Sequence, residues 1–158
     1  MNETPPVAIE LTKLNVPHQI FNHSGTIKSL DQAAAERGQV PDQVVRSILF
    51  RTSENNFVMV LVTGPLQISW QKLRAYLGQS RLTLATEEEV LLITGYRVGA
   101  VSPYGLPRPV RILADKNVFA HSQISIGSGQ RGTAIILNSG DLLSSLENIE
   151  IATFVDHQ

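Results

Sequence analysis

Cysteine is absent from the 158 residues. That excludes disulfides, thiolate metal sites and cysteine nucleophiles. A long apolar run is also missing at the start, where MNETPPVAIELTKL carries Glu3, Glu10 and Lys13. This segment is expected to be neither a secretory signal nor a membrane span, so the expected compartment is the cytoplasm, with no membrane contact. Repeats, low-complexity tracts and linkers long enough to divide the chain are lacking too. The expectation is one domain over residues 1–158. A chain of that length buries about 68–70% of its unfolded surface, so one core holds it without staples.

Charge of either sign is nearly balanced, with a net −1 from 13 basic and 14 acidic side chains. The total hides an asymmetry. Between Val90 and Gly140 stand Arg97, Arg108, Arg111, Lys116 and Arg131 against Asp115 alone, a local +4 that leaves −5 for the rest. Such a stretch suits a polyanion even on a near-neutral protein. The alternative is a solvated surface whose side chains point in different directions.

Apolar spacing predicts a helix over Pro5–Val16, ended by Pro17, and a short strand over His18–Asn22. Ser29 and Gln32 suit a capping box, giving a helix over Ser29–Arg37 that Gly38 stops. Val44–Thr52 and Phe57–Thr63 read as strands joined into a hairpin by the polar SENN turn. Ser69–Leu77 reads as a helix closed by Gly78. Thr86 and Glu89 form a second capping box for a helix ending near Thr94, with Gly95 as its stop. Strands are expected at Val110–Leu113, Gln123–Ile126, Thr133–Leu137 and Ile149–Thr153, and a short helix at Leu142–Leu146. Regular βαβ alternation is missing, which points to an α/β or α+β domain around a curved, largely antiparallel sheet.

Three possible chemistries have plainer readings. Gly127–Gly132, GSGQRG, has dinucleotide-fingerprint spacing. Yet it is followed by the strand-like TAIIL rather than a helix, and too little chain remains for a half-domain. A hairpin turn accounts for its glycines, with Arg131 at the tip able to touch a phosphate. His18, His23, His121 and His157 show no metal-site spacing and no acidic cluster, so no metal and no cofactor are expected. Glu87–Glu89 suit the first turn of a helix. Thr94–Gly105, TGYRVGAVSPYG, is harder to dismiss. It holds three glycines, a proline and no acid. Gly99 and Ala100 permit close approach of a ligand to backbone N–H groups, which hold a carbonyl or oxyanion well. The segment is either a pocket wall or an ordinary glycine-rich loop.

These residues resemble a family. Gly99-Ala100-Val101-Ser102-Pro103 is similar to the Gly-x-x-x-Pro loop of the YbaK/prolyl-tRNA-synthetase-associated trans-editing domains. The surrounding order also agrees: the Val44–Phe50 and Phe57–Thr63 strands, Lys72–Leu73, Leu84–Ala85, the turn at Gly127–Gly132 and Asp141–Leu142. The resemblance implies a curved, mixed, mostly antiparallel sheet of about six or seven strands surrounded by helices. It also implies hydrolysis of the ester between a wrong amino acid and its tRNA, typically tRNA for proline bearing a small residue. No metal or cofactor is implied. The implied partners are the aminoacylated tRNA 3′ end and, through it, an aminoacyl-tRNA synthetase.

Carried onto this chain, the resemblance puts Arg46 where the family has a strand lysine, and Ala100 where it often has a second glycine. The implied catalytic set is Arg46 with the amides of Gly99 and Ala100. The substrate-binding candidates are Phe21 (otherwise core packing), Ser47, Val101, Ser102, Pro103 and Asp141 (otherwise a helix N-terminal acid), with Arg97, Arg108 and Arg131 of the basic stretch toward tRNA. Arginine stays protonated and offers a planar fork where lysine offers a compact ammonium. Two functions are therefore carried forward: a trans-acting aminoacyl-tRNA deacylase, and a catalytically weak module of the same fold that holds tRNA ends, nucleotides or an amino-acid-like ligand.

Overall fold

The computed structural model describes residues 4–53 and 55–156. Glu54 of the SENN turn and His157 lie outside the described residues.

Local signals fix most boundaries. Helix α1 (Pro6–Lys13) buries Val7, Ala8 and Leu11. It stops before Pro17 because Asn15 takes a left-handed φ of 59°. Strand β1 (His18–Asn22) leads to helix α2 (Leu30–Glu36). Ser29 caps α2 by accepting the Gln32 N–H at 3.0 Å, while the Gln32 side chain reaches past Ser29 to the Lys28 N–H. Strands β2 (Val45–Thr52) and β3 (Phe57–Thr63) make the expected hairpin. Helix α3 (Trp70–Leu77) ends at Gly78. Strand β4 (Leu82–Leu84), too short to show in the sequence pattern, edges onto β2. Helix α4 (Glu87–Thr94) opens with the reciprocal Thr86–Glu89 box and ends at Gly95.

The remaining elements are β5 (Arg111–Asp115), β6 (Gln123–Gly127), β7 (Thr133–Asn138), α5 (Ser139–Ser145) and β8 (Glu150–Ala152). Helix α5 starts earlier than the apolar pattern suggests because the Asn138 side chain accepts the Gly140 N–H at 2.8 Å.

The expected α+β class holds, with the strands divided over two sheets. A five-stranded sheet runs β4-β2-β3-β5-β8, and a three-stranded sheet runs β1-β7-β6. Pairs β3–β5 and β5–β8 are parallel, and the other named pairs are antiparallel. A parallel bridge from Val44 to Ser125 joins the sheets where β2 begins.

Strand β3 explains the arrangement. Its unbroken FVMVLVT run suits a strand covered on both faces. Met59 and Leu61 enter a core shared with α1, α4, β6 and β7, whereas Val58, Val60 and Val62 enter a second core with Leu73 and Phe154. The same pleat divides β2. Val45 and Leu49 face the first core and Phe50 the second, with Ile48 packed against it. Ser47 therefore shares the first face and Arg46 the second.

Gly127 ends β6 against the segment after α4. A Cβ there would meet the Val101 carbonyl oxygen at 2.2 Å and the Ala100 carbonyl carbon at 3.0 Å. No side chain fits without moving backbone. Gly127→Ala is expected to destabilise the protein by about 1–3 kcal/mol through overpacking. Gly25→Ala, where the added methyl meets nothing within 4 Å, should stay within about 0.5 kcal/mol. Urea unfolding of both variants checks this, and equal effects would contradict the close approach.

Candidate functional site

Three ties hold the loop between α4 and β5 in place. The Tyr96 hydroxyl donates to the Tyr104 carbonyl at 2.6 Å, closing the loop on itself. The Gly129 N–H donates to the Ala100 carbonyl at 2.9 Å. Arg131 donates from Nε and Nη2 to the Val98 carbonyl at 3.0 and 2.8 Å. Below the loop, Ser102 is fully buried and its hydroxyl accepts the Tyr104 N–H. The Tyr104 hydroxyl pairs with Ser145. Burial pushes the Tyr104 phenol up to about 12, against the Ser145 contact, so it stays neutral.

Held this way, the loop leaves several backbone donors open, two of them on the cavity. The Ala100 N–H donates to the Arg97 carbonyl at 3.0 Å, inside a turn. The N–H groups of Gly99 and Val101 have no acceptor among the described residues. Gly99 sits at φ 95°, a conformation open to glycine and strained for other residues. Both residues line a cavity of about 280 Å³ with Val45, Arg46, Ser47, Ile126 and Gly127. Ser47 adds a buried hydroxyl oxygen with no hydrogen-bond partner among the described residues. Buried polar groups are ordinarily paired, so open ones mark a place for a ligand. Of the expected amide pair, Gly99 is open and Ala100 is engaged within the turn, while Val101 is open beside them.

A second cavity, of about 680 Å³, adjoins the first. Arg37, Val44 and Gly99 line both, and Thr26, Ser29 and Arg131 line the larger one. Arg37, at the end of α2, was not singled out from the sequence. Its Nη1 donates to Ser125 Oγ at 2.9 Å and its Nε to His23 Nε2 at 3.1 Å. Arginine only donates, so His23 Nε2 accepts and its Nδ1 carries the proton, which it gives to Glu36 Oε1 at 2.7 Å. Ser125 in turn donates to Gln39 Oε1 at 2.8 Å. Burial disfavours the charged form of Arg37, yet it forms no direct ion pair among the described residues.

The other expected site residues are spread more widely. Arg46 lines the smaller cavity, but its guanidinium, on the opposite face of β2 from Ser47, donates to the carbonyls of Gly64 and Leu66. Phe21 lines neither cavity and packs edge-to-face on His23 at 4.9 Å. Pro103 and Arg108 line a separate groove with Leu106 and Glu147. Arg97 is exposed and, like Asp141 in the first turn of α5, lines neither cavity. No group of three or more His, Asp or Glu that could hold a metal occurs among the described residues. None of their helices is long and apolar enough to cross a membrane.

These features define a class: an α+β domain with a small pocket that combines open backbone N–H groups with Ser47 and arginine side chains, beside a wider pocket that shares Arg37. Residues 24–144 match the model of the aminoacyl-tRNA editing domain, and the chain belongs to that family. The proline–tRNA ligase of Brachyspira hyodysenteriae is 32% identical over 113 residues, which is 72% of this chain and 20% of the ligase. That of Kosmotoga olearia is 34% identical over 106 residues, 67% and 18% of the two chains. The chain thus spans about a fifth of the length of these curated relatives. A proposed trans-editing enzyme for prolyl tRNA synthetase shares the fold, with a TM-score of 0.86, 21% identity and 96% of each chain covered. So does a scaffold protein used for epitope backbone grafting, at 0.87, 19%, and 97% and 96% of the chains.

The Glu36 contact has a pH signature. Hydrogen bonds from His23 and then Gln32 hold the Glu36 carboxyl below its ordinary value. A group depressed on folding stabilises above its unfolded value, and that stability is lost as pH falls through the folded value. Between about pH 5 and pH 3, the wild-type protein should lose stability more steeply than Glu36→Gln. Denaturant midpoints measured across that range test this, and parallel slopes would show that the contact is absent in solution.

Proposed function

We propose that this domain hydrolyses, in trans, the ester joining a small non-cognate amino acid to the 3′ end of tRNA, with tRNA for proline as its substrate. The observation that carries this reading is the smaller cavity, with the open N–H groups of Gly99 and Val101 and the unpaired Ser47 hydroxyl in its lining. Its roughly 280 Å³ falls below the range of about 300–1,000 Å³ that suits drug-sized ligands, so it favours a small acyl group.

The chemistry asks little of side chains. An aminoacyl ester is already activated. Water adds to the carbonyl carbon, the bond from that carbon to the ribose oxygen breaks, and the amino acid leaves as a carboxylate. One proton from the water passes to the ribose oxygen and the other to solvent. The charge that develops on the carbonyl oxygen is met by the Gly99 and Val101 amides, and losing one such donor typically costs about 2.7–4 kcal/mol. Selection by size explains why such a reaction is useful. One methylene changes binding by only about 1–3 kcal/mol, so a synthetase admits smaller amino acids that a second pocket then removes.

Arg46 supports a second reading. Its two backbone acceptors at Gly64 and Leu66 occupy the group that would replace the family's lysine, as expected for a weak or inactive module that still binds the tRNA end. Incubation with a panel of mischarged tRNAs separates the two. The deacylase reading requires release faster than buffer for at least one pairing, and its absence for every pairing leaves the binding module. Gly99→Ala should cost about 10²–10³ in rate by disturbing an oxyanion donor. Arg46→Lys should keep the rate within roughly tenfold, because the loop amides carry the charge. Loss of all activity in Arg46→Lys would assign the chemistry to the arginine.

A further inference from the structure

We propose that Arg37 and Arg131 form a cradle for one phosphate, the one that joins the last two nucleotides of the aminoacylated strand. This rests on the editing reading above and extends it to a site for the nucleotide.

The larger cavity is lined by these two arginines and by no carboxylate. Arg37 is the stronger of the pair. Both of its side-chain partners, His23 Nε2 and Ser125 Oγ, are neutral acceptors, at 3.1 and 2.9 Å. Each partner is itself held, His23 by Glu36 and Ser125 by Gln39. The guanidinium is therefore fixed in direction before any ligand arrives, while its Nη2 has no acceptor among the described residues. A half-buried cation without a contacting anion is costly, and a planar guanidinium matches the paired oxygens of a phosphate. Arg131, anchored on the Val98 carbonyl by Nε and Nη2, closes the opposite side beside Gly99.

Connectivity decides which phosphate. Gly99 and Arg37 line both cavities. With the ester carbonyl on the Gly99 amide, the terminal ribose lies at the junction of the cavities. The nearest anion on that ribose is its own 5′-linked phosphate, which then enters the larger cavity. His23 and Glu36 act as positioning residues for Arg37.

Adenosine and adenosine 5′-monophosphate, which differ by that phosphate, provide the test. Titrated calorimetrically into the full chain, the monophosphate should bind about tenfold tighter or more, as one charge-assisted contact implies. The preference should fall toward unity in Arg37→Gln and in Arg131→Gln, and persist in Arg81→Gln, whose side chain lines neither cavity. If Arg37→Gln fails to fold, the exposed Arg131 variant carries the comparison. Equal binding of the two ligands, no binding at millimolar concentration, or a preference unchanged in the folded cradle variants overturns the proposal. Failure of the editing reading looks different: no tRNA is deacylated, whatever the phosphate preference.

Discussion

Gly127 lies so near the Ala100–Val101 peptide that a single added carbon would overlap it, and the geometry of the pocket follows from that approach. The bare end of β6 lets the loop after α4 settle onto the three-stranded sheet. Gly129 and Arg131, in the turn just beyond, then tie down the carbonyls of Ala100 and Val98. These bonds use carbonyl oxygens as acceptors and leave the N–H groups of Gly99 and Val101 without partners among the described residues. The loop is thus held through several of its acceptors and receptive because the donors of Gly99 and Val101, which line the cavity, stay open.

Leaving a buried donor such as the Val101 N–H unpaired ordinarily costs about 1–3 kcal/mol. A structure bears this only where surrounding contacts determine the backbone more strongly than the missing bonds would. Here those contacts are the Tyr96–Tyr104 closure, the buried Ser102 cap and the packing of Val101 and Tyr104 in the first core. Ser102, expected among the substrate-binding residues, is buried beneath the loop and accepts the Tyr104 N–H there. Gly99 and Val101 face the cavity, and Ser102 anchors the backbone that presents them.

How much of this could be read from the sequence depended on how local each determinant is. The Thr86–Glu89 box, the Gly78 and Gly95 stops and the β2–β3 hairpin are set by residues a few positions apart, and they appear where the pattern puts them. The loop was legible through its glycines and proline. Arg37 was not, because at the end of α2 beside Gly38 it looks like an ordinary helix terminus. Its meaning comes from His23 on one side and Ser125 far along the chain. Alternation along β2 implies that Arg46 and Ser47 point to opposite faces, but which face meets the loop depends on how the two sheets meet at Val44 and Ser125. A three-residue strand such as β4 carries too short a pattern to stand out at all.

The arginine at position 46, where the resemblance implies a lysine, then takes on a definite physical form. A lysine on this strand would present one compact charge at the end of a flexible stem, free to swing toward a substrate. The guanidinium of Arg46 instead bridges two carbonyls of the turn after β3, and a planar fork satisfied on two acceptors has little freedom left. It fixes the end of the β2–β3 hairpin, and therefore the strand that carries Ser47. A second guanidinium, that of Arg37 at the end of α2, lines both cavities, and its neutral partners leave its field directed into the cleft. Of the two arginines that line the smaller cavity, Arg46 is committed to backbone carbonyls and Arg37 to neutral side chains, and that difference leaves Arg37 the freer cation.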